Sequence, residues 1–199
     1  MIKVILFDAD GFIIKEQKNF GQMYSEKYNV PIEKIEPFFK KWYGLCKTGK
    51  VDLKTKIKPY LKKWNWKDSV DEFLNLWFTS YTEFDNEVLD LIKGMKSHGV
   101  KCYLATNQEK YRAERIKNII QSGNYLDGIF FSCDIGYMKQ EREFFKVVID
   151  SFKNIKPQEM LFWDSKDDSL KVAKSFGINT ELYTSLKNFK RKMKEYNIK

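Results

Sequence analysis

Four consecutive apolar residues, Val4-Ile5-Leu6-Phe7, run into Asp8-Ala9-Asp10-Gly11, and this stretch constrains the chain more than any other. An uninterrupted apolar run of that length reads as a strand buried on both faces, which belongs in a parallel sheet covered by helices. Two carboxylates emerge one residue apart at its C-terminal end, the edge of such a sheet at which ligands bind. Residues i and i+2 share a face of a strand, so Asp8 and Asp10 converge if the extended geometry persists that far. Like charges so close need a cation or a shared proton. An oxygen-coordinated divalent ion is the usual relief, and Gly11 then lets the chain turn away sharply.

A chain of 199 residues suits one domain, or one domain carrying a large insertion. Its hydrophobic fraction of 43% is ample for a packed core. No apolar run approaches the ~18 residues of a membrane span, and Asp8 ends the first apolar run too early for a secretory leader. Cys46, Cys102 and Cys133 are odd in number and lack Cys-x-x-Cys spacing, so neither a disulfide framework nor a zinc site is expected. A reducing cytoplasm is the expected setting. The net charge of +9 raises the question of nucleic acid. Most of the excess lies in two lysine-rich stretches, 40–67 and 187–199, while arginine, the better base and phosphate reader, is scarce. Steering of a phosphorylated small molecule is the preferred use of that field, with nucleic-acid binding the minority reading.

After the first strand the pattern is helical from about residue 15 to 84. Ile35, Phe38, Phe39 and Trp42 form an apolar stripe, and Ser69-Val70-Asp71-Glu72 reads as a capping box opening a helix with Phe73, Trp77, Phe78 and Tyr81 on one side. This insert holds 15 of the 32 aromatic residues, enough for a core of its own. Beyond Phe84 helices and strands alternate. Helices are expected at 86–97, 109–121, 144–152 and 170–176, with a last one carrying Leu186, Phe189, Met193 and Tyr196. Strands are expected at 100–105, 129–131, 160–163 and 182–183. The alternation argues for an α/β fold with a parallel sheet and helices on both faces. His98, the single histidine, sits at a helix end before Gly99, which leaves no histidine-based triad or multi-histidine metal site.

Three further signals follow in order at strand ends. Thr106-Asn107 ends the strand of Val100–Ala105 at a helix start, where a hydroxyl and backbone N–H groups can hold phosphate oxygens. Lys139 precedes the helix of Phe144 and Phe145. Asp164-Ser165-Lys166-Asp167-Asp168-Ser169 follows the strand of Met160–Trp163, with Gly177 beyond. Together with Asp8-x-Asp10-Gly11 these four stretches resemble the motifs of the haloacid dehalogenase superfamily, most of whose members are magnesium-dependent phosphohydrolases.

The resemblance implies a Rossmann-like core of residues 1–14 and 85–199 and an α-helical cap domain of residues 15–84 inserted between the first and second motifs. It also implies Mg²⁺ as cofactor, held by Asp8, the Asp10 backbone carbonyl and Asp164, with Asp168 in reserve. Asp8 would attack phosphorus to form an aspartyl-phosphate, and Asp10 would protonate the leaving alcohol and then activate water. Thr106, Asn107 and Lys139 would hold the phosphoryl group. The substrate would be a small phosphorylated metabolite. The chain departs from the family pattern at Phe12, where threonine is usual, at Gln140, where proline is usual, and at Ser165 and Ser169, which stand where metal-shell residues are expected. Retention of Asp10 argues against dehalogenation. The alternatives are a phosphotransferase or mutase on the same scaffold, or a non-catalytic binding protein with a degraded metal site.

Overall fold

The structure, a computed structural model, describes residues 1–15, 19–80 and 82–198. Five parallel strands lie in the order β3-β2-β1-β4-β5: β1 Val4–Phe7, β2 Lys101–Thr106, β3 Gly128–Phe131, β4 Met160–Asp164 and β5 Asn179–Leu182. β1 is central and wholly buried, because both of its faces are packed against apolar layers. Ile5 and Phe7 join one layer with residues of α6 (Asn86–Ser97), α7 (Lys110–Ser122) and α11 (Leu186–Glu195). Val4 and Leu6 join the other, with residues of α8 (Ser132–Ile135), α9 (Arg142–Asp150) and α10 (Asp167–Lys174). The period-2 alternation of a strand is what divides them.

Register positions the chemistry. Phe7 pairs with Leu104 of β2 and Trp163 of β4, and the Asp8 N–H donates to the Trp163 carbonyl at 2.9 Å. Asp8 therefore leaves the sheet between the ends of β2 and β4, which carry Thr106 and Asp164. Strand order reverses between β1 and β4, opening the crevice in which α/β sheets bind ligands.

Residues 9–14 fold back on themselves: Gly11, at φ +77°, donates to the Ile14 carbonyl at 2.8 Å, and Ile14 bridges to Phe84. Within this turn Phe12 is buried, its ring 4.0 Å from that of Tyr183 and 5.2 Å from that of Phe189. The residue that departs from the family's threonine thus fastens the turn to the C-terminal helix.

The segment between β1 and α6 is helical: α1 Phe20–Tyr28, α2 Ile32–Phe38, α3 Gly44–Lys47, α4 Leu53–Leu61 and α5 Val70–Ser80. Its aromatic residues build a separate apolar cluster around Tyr24, Phe38, Trp64, Phe73 and Trp77. The Ser69 hydroxyl accepts from the Glu72 N–H, and the Glu72 carboxylate accepts from the Ser69 N–H, completing the capping box expected there. Tyr81, expected on the same helix face, lies outside the described residues.

Several expectations shift. The continuous stripe through Ile35, Phe38, Phe39 and Trp42 is broken by a π-helical turn over Phe39–Tyr43, so Phe39 and Trp42 are only partly buried. Pro37, which has no N–H to donate, lies just upstream of that widened turn. The last strand lies three residues earlier than the apolar pair Leu182-Tyr183 suggested, since its residues are half-exposed and mostly polar. α10 begins at Asp167, because the two acids at its start favour the positive end of the helix dipole.

Phe12→Ala should lower stability by about 3–5 kcal/mol, the usual cost of removing a buried phenylalanine. Denaturant unfolding measures it, and a loss below about 1 kcal/mol would contradict the anchoring role.

Candidate active site

Asp8, Thr106, Lys139 and Asp164 are all buried and all gathered at the C-terminal edge of the sheet. Lys139, on the loop before α9, sends its ammonium between two carboxylates: Nζ is 2.5 Å from Asp8 Oδ1 and 2.7 Å from Asp164 Oδ2. The loop is held by Asn107, whose Oδ1 accepts from the Lys139 N–H at 2.9 Å and whose Nδ2 donates to Gln140 Oε1 at 2.9 Å. Asn107, expected on the phosphoryl group, is thus spent on placing Lys139, and Gln140 replaces a stiff proline with a side-chain clamp.

Asp164 accepts three hydrogen bonds. Besides Lys139, Oδ2 accepts from the Ser169 hydroxyl, and Oδ1 accepts from the Lys166 N–H at 2.9 Å. Ser165 instead lies beside the first motif, donating to the Asp10 carbonyl at 3.0 Å. Asp168 is exposed on the first turn of α10 and pairs weakly with Lys171, so the reserve ligand is at the surface.

Asp10 is held from another direction. Arg112 grips it through both guanidinium ends, at 2.6 and 2.9 Å, and Gln108 Nε2 donates to it at 2.8 Å. Gln108 Nε2 also reaches Thr106 Oγ1 at 3.2 Å, linking the ends of β1 and β2. Neither Gln108 nor Arg112 was anticipated from sequence. A signal was present: Arg112 falls at the start of the i, i+4, i+8 face that continues through Ile116 and Ile120, an unusual place for a guanidinium.

The electrostatics of the two first-motif acids diverge. Burial pushes the Asp8 carboxyl up to about 7, opposed by Lys139 and reinforced by the charges of Asp164 and Asp10. Burial acts on Asp10 in the same sense, but Arg112, with Gln108 and Lys139, overrides it and holds the group below its ordinary value. Burial would also discharge Lys139, yet Asp8 and Asp164 keep its ammonium raised. Asp10 is therefore a fixed anion, whereas Asp8 titrates near neutrality.

These commitments bear on the metal. Among the described residues no group of three acidic, histidine or cysteine side chains is disposed to hold an ion. The expected ligands are two carboxylates and a backbone carbonyl: Asp8 and Asp164 both reach Lys139, and Ser165, beside the Asp10 carbonyl, contributes a hydroxyl where an acid would add charge. Asp8 Oδ2, Asp164 Oδ1 and the Asp10 carbonyl are the oxygens that would hold Mg²⁺, with Lys139 offsetting the charge of both acids.

A family model for haloacid dehalogenase-like hydrolases matches residues 2–177. Among solved structures, a haloacid dehalogenase family enzyme of Bacteroides thetaiotaomicron in complex with magnesium and inorganic phosphate superposes with a TM-score of 0.79 at 21% identity, covering 94% of this chain and 96% of its own. A HAD-like family hydrolase of Porphyromonas gingivalis gives 0.80 at 17% identity over 99% and 98%. A HAD phosphatase of Thermococcus onnurineus gives 0.60 at 20% identity over 92% and 86%. At these identities the likeness is one of fold. Among the described residues, no helix is long and apolar enough to cross a membrane.

Two outcomes test this account of the site. Titration of ¹³C-labelled carboxyls should place the Asp8 midpoint near 7, with Asp10 ionised below its ordinary 3.8. Because the folded state binds the Asp8 proton more tightly than the unfolded chain, this group's contribution to stability falls as pH rises from about 4 to about 7. An Asp8 midpoint near 4 would contradict it. Separately, calorimetry should show weak magnesium binding by the native chain and affinity about tenfold higher or more for Ser165→Asp, the added carboxylate supplying the missing charge. Tight binding by the native chain would contradict the offset by Lys139.

Proposed function

Because the chain belongs to the haloacid dehalogenase-like hydrolase family, we propose that this site binds the phosphoryl group of a small phosphate monoester and hydrolyses it through Asp8. The observation that carries this is the asymmetry of Asp8. Lys139 occupies Oδ1, and among the described residues no donor is recorded on Oδ2, which is left as a nucleophile at the end of the central strand.

Attack by Asp8 Oδ2 forms an oxygen–phosphorus bond as the ester oxygen–phosphorus bond breaks, and water then cleaves the acyl-phosphate to restore Asp8 and release phosphate. Lys139 lowers the repulsion between carboxylate and phosphoryl oxygens. Thr106 Oγ1 and the Asn107 N–H supply neutral donors. Asp10, held as an anion by Arg112, is suited to drawing a proton from the attacking water and poorly suited to giving one to a departing alcohol. Substrates with acidic leaving groups should therefore turn over best. The helical insert acts as the cap, and its proximity to Asp10 would exclude bulk water from that side.

Mg²⁺ is bound by the Bacteroides relative. Asp8, the Asp10 carbonyl and Asp164 would hold it here, but both carboxylates are shared with Lys139, and no step is assigned to the metal. The same feature supports a second reading, in which the site binds phosphate without turning it over.

Hydrolysis of p-nitrophenyl phosphate separates the two. Turnover that Asp8→Asn lowers by at least about a thousandfold, with the fold intact by circular dichroism, is the expected result for a nucleophile. Binding of orthophosphate with no turnover in the native chain favours the second reading. Undiminished turnover by Asp8→Asn would remove Asp8 from the reaction.

A further inference from the structure

Lys47, the last residue of α3, has a partly buried side chain whose ammonium has no hydrogen bond or ion pair recorded among the described residues. Its recorded side-chain neighbour is the Tyr43 ring, 5.2 Å from Nζ to centroid, one helical turn earlier. It lies within electrostatic reach of Lys166, Asp10 and Lys139. Of the other cations at this edge, Lys139 is committed to Asp8 and Asp164 and Arg112 to Asp10, while Lys166 is exposed to solvent. Burial, with Lys166 and Lys139 adding repulsion and only Asp10 opposing, pulls the Lys47 ammonium below its ordinary value. A partly desolvated cation within electrostatic reach of two others is unfavourable until an anion joins it.

The position is fixed by the backbone. The Ser132 hydroxyl donates to the Lys47 carbonyl at 2.6 Å and accepts from the Gln108 N–H at 3.0 Å, which ties the end of α3 to the loop following Thr106. Two residues on, Gly49 sits at φ +67° so close to Cys133 that an added Cβ would lie 2.4 Å from the Cys133 carbonyl oxygen. Only glycine permits that approach. Tyr43, in the π-helical turn, is itself desolvated beside Arg112, Glu109 and Asp10. Widened turns of this kind often mark functional positions in helices.

In a phosphoryl displacement the departing oxygen lies opposite the attacking one. With Asp8 attacking from the sheet edge, the leaving group projects toward the insert and Asp10. We propose that Lys47 recognises a second anionic group, a carboxylate or a second phosphate, carried on the leaving portion of the substrate. This rests on the phosphoryl-binding reading above, and it narrows the substrate class to phosphate esters bearing a further negative charge.

The test compares ligands that share a phosphoryl group. Calorimetry with orthophosphate, ethyl phosphate, phosphoglycolate and ethylene glycol bisphosphate gives the affinity gain due to the second anion. The native chain should bind phosphoglycolate, the bisphosphate or both at least about tenfold more tightly than ethyl phosphate, and which of them gains identifies the group. Lys47→Met should collapse that ratio to near unity, and Lys47→Arg should retain most of it. Equal affinities for ethyl phosphate and both ligands that carry a second anionic group in the native chain, or a ratio unmoved by Lys47→Met, would overturn the proposal while leaving phosphoryl binding intact. Failure of orthophosphate and ethyl phosphate to bind at all would instead remove the phosphoryl reading, and this proposal with it.

Discussion

Lys139 brings one positive charge into a pocket that already holds two carboxylates, and the distances of 2.5 and 2.7 Å to Asp8 and Asp164 organise everything around them. Without the ammonium, two buried anions from adjacent strands would face each other at a cost that burial makes severe. With it, one oxygen of Asp8 is fixed and the other left open. Asn107 and Gln140 serve that arrangement by holding the loop, and Ser169 and the Lys166 N–H serve it by fixing Asp164. The sheet provides the proximity, since parallel pairing of β1 with both β2 and β4 brings three strand ends into register.

A second neutralisation operates alongside the first. Arg112 reaches Asp10 from α7, so each acid that could have joined a metal shell has a cationic partner from the protein itself. Ser165 donates a hydrogen bond to the Asp10 carbonyl but adds no charge beside it.

Much of the architecture was legible in the residues. Val4 to Phe7 read as a buried strand, and the alternation of helices and strands, taken with the resemblance to the family's motifs, put Thr106, Lys139 and Asp164 at strand or loop ends. The capping box at Ser69 was readable because its two hydrogen bonds are local. What escaped were interactions set by tertiary geometry. An acid at the end of β4 could be placed, but nothing local says that its oxygens accept from Lys139, Lys166 and Ser169. The pairing of Arg112 with Asp10 spans 102 residues. Phe12 looked like a lost hydroxyl, and its packing against Tyr183 and Phe189 depends on a helix far away in the chain.

The claim on which the account stands is that the free oxygen of Asp8 is the point of contact with phosphorus. A crystal structure of the chain with beryllium fluoride, a mimic of the phosphoryl group, tests it without reference to any substrate. The account predicts beryllium bonded to Asp8 Oδ2, with fluorine atoms beside Thr106 Oγ1 and Lys139 Nζ. An unmodified Asp8, with the fluoride complex absent or bound elsewhere, would contradict it.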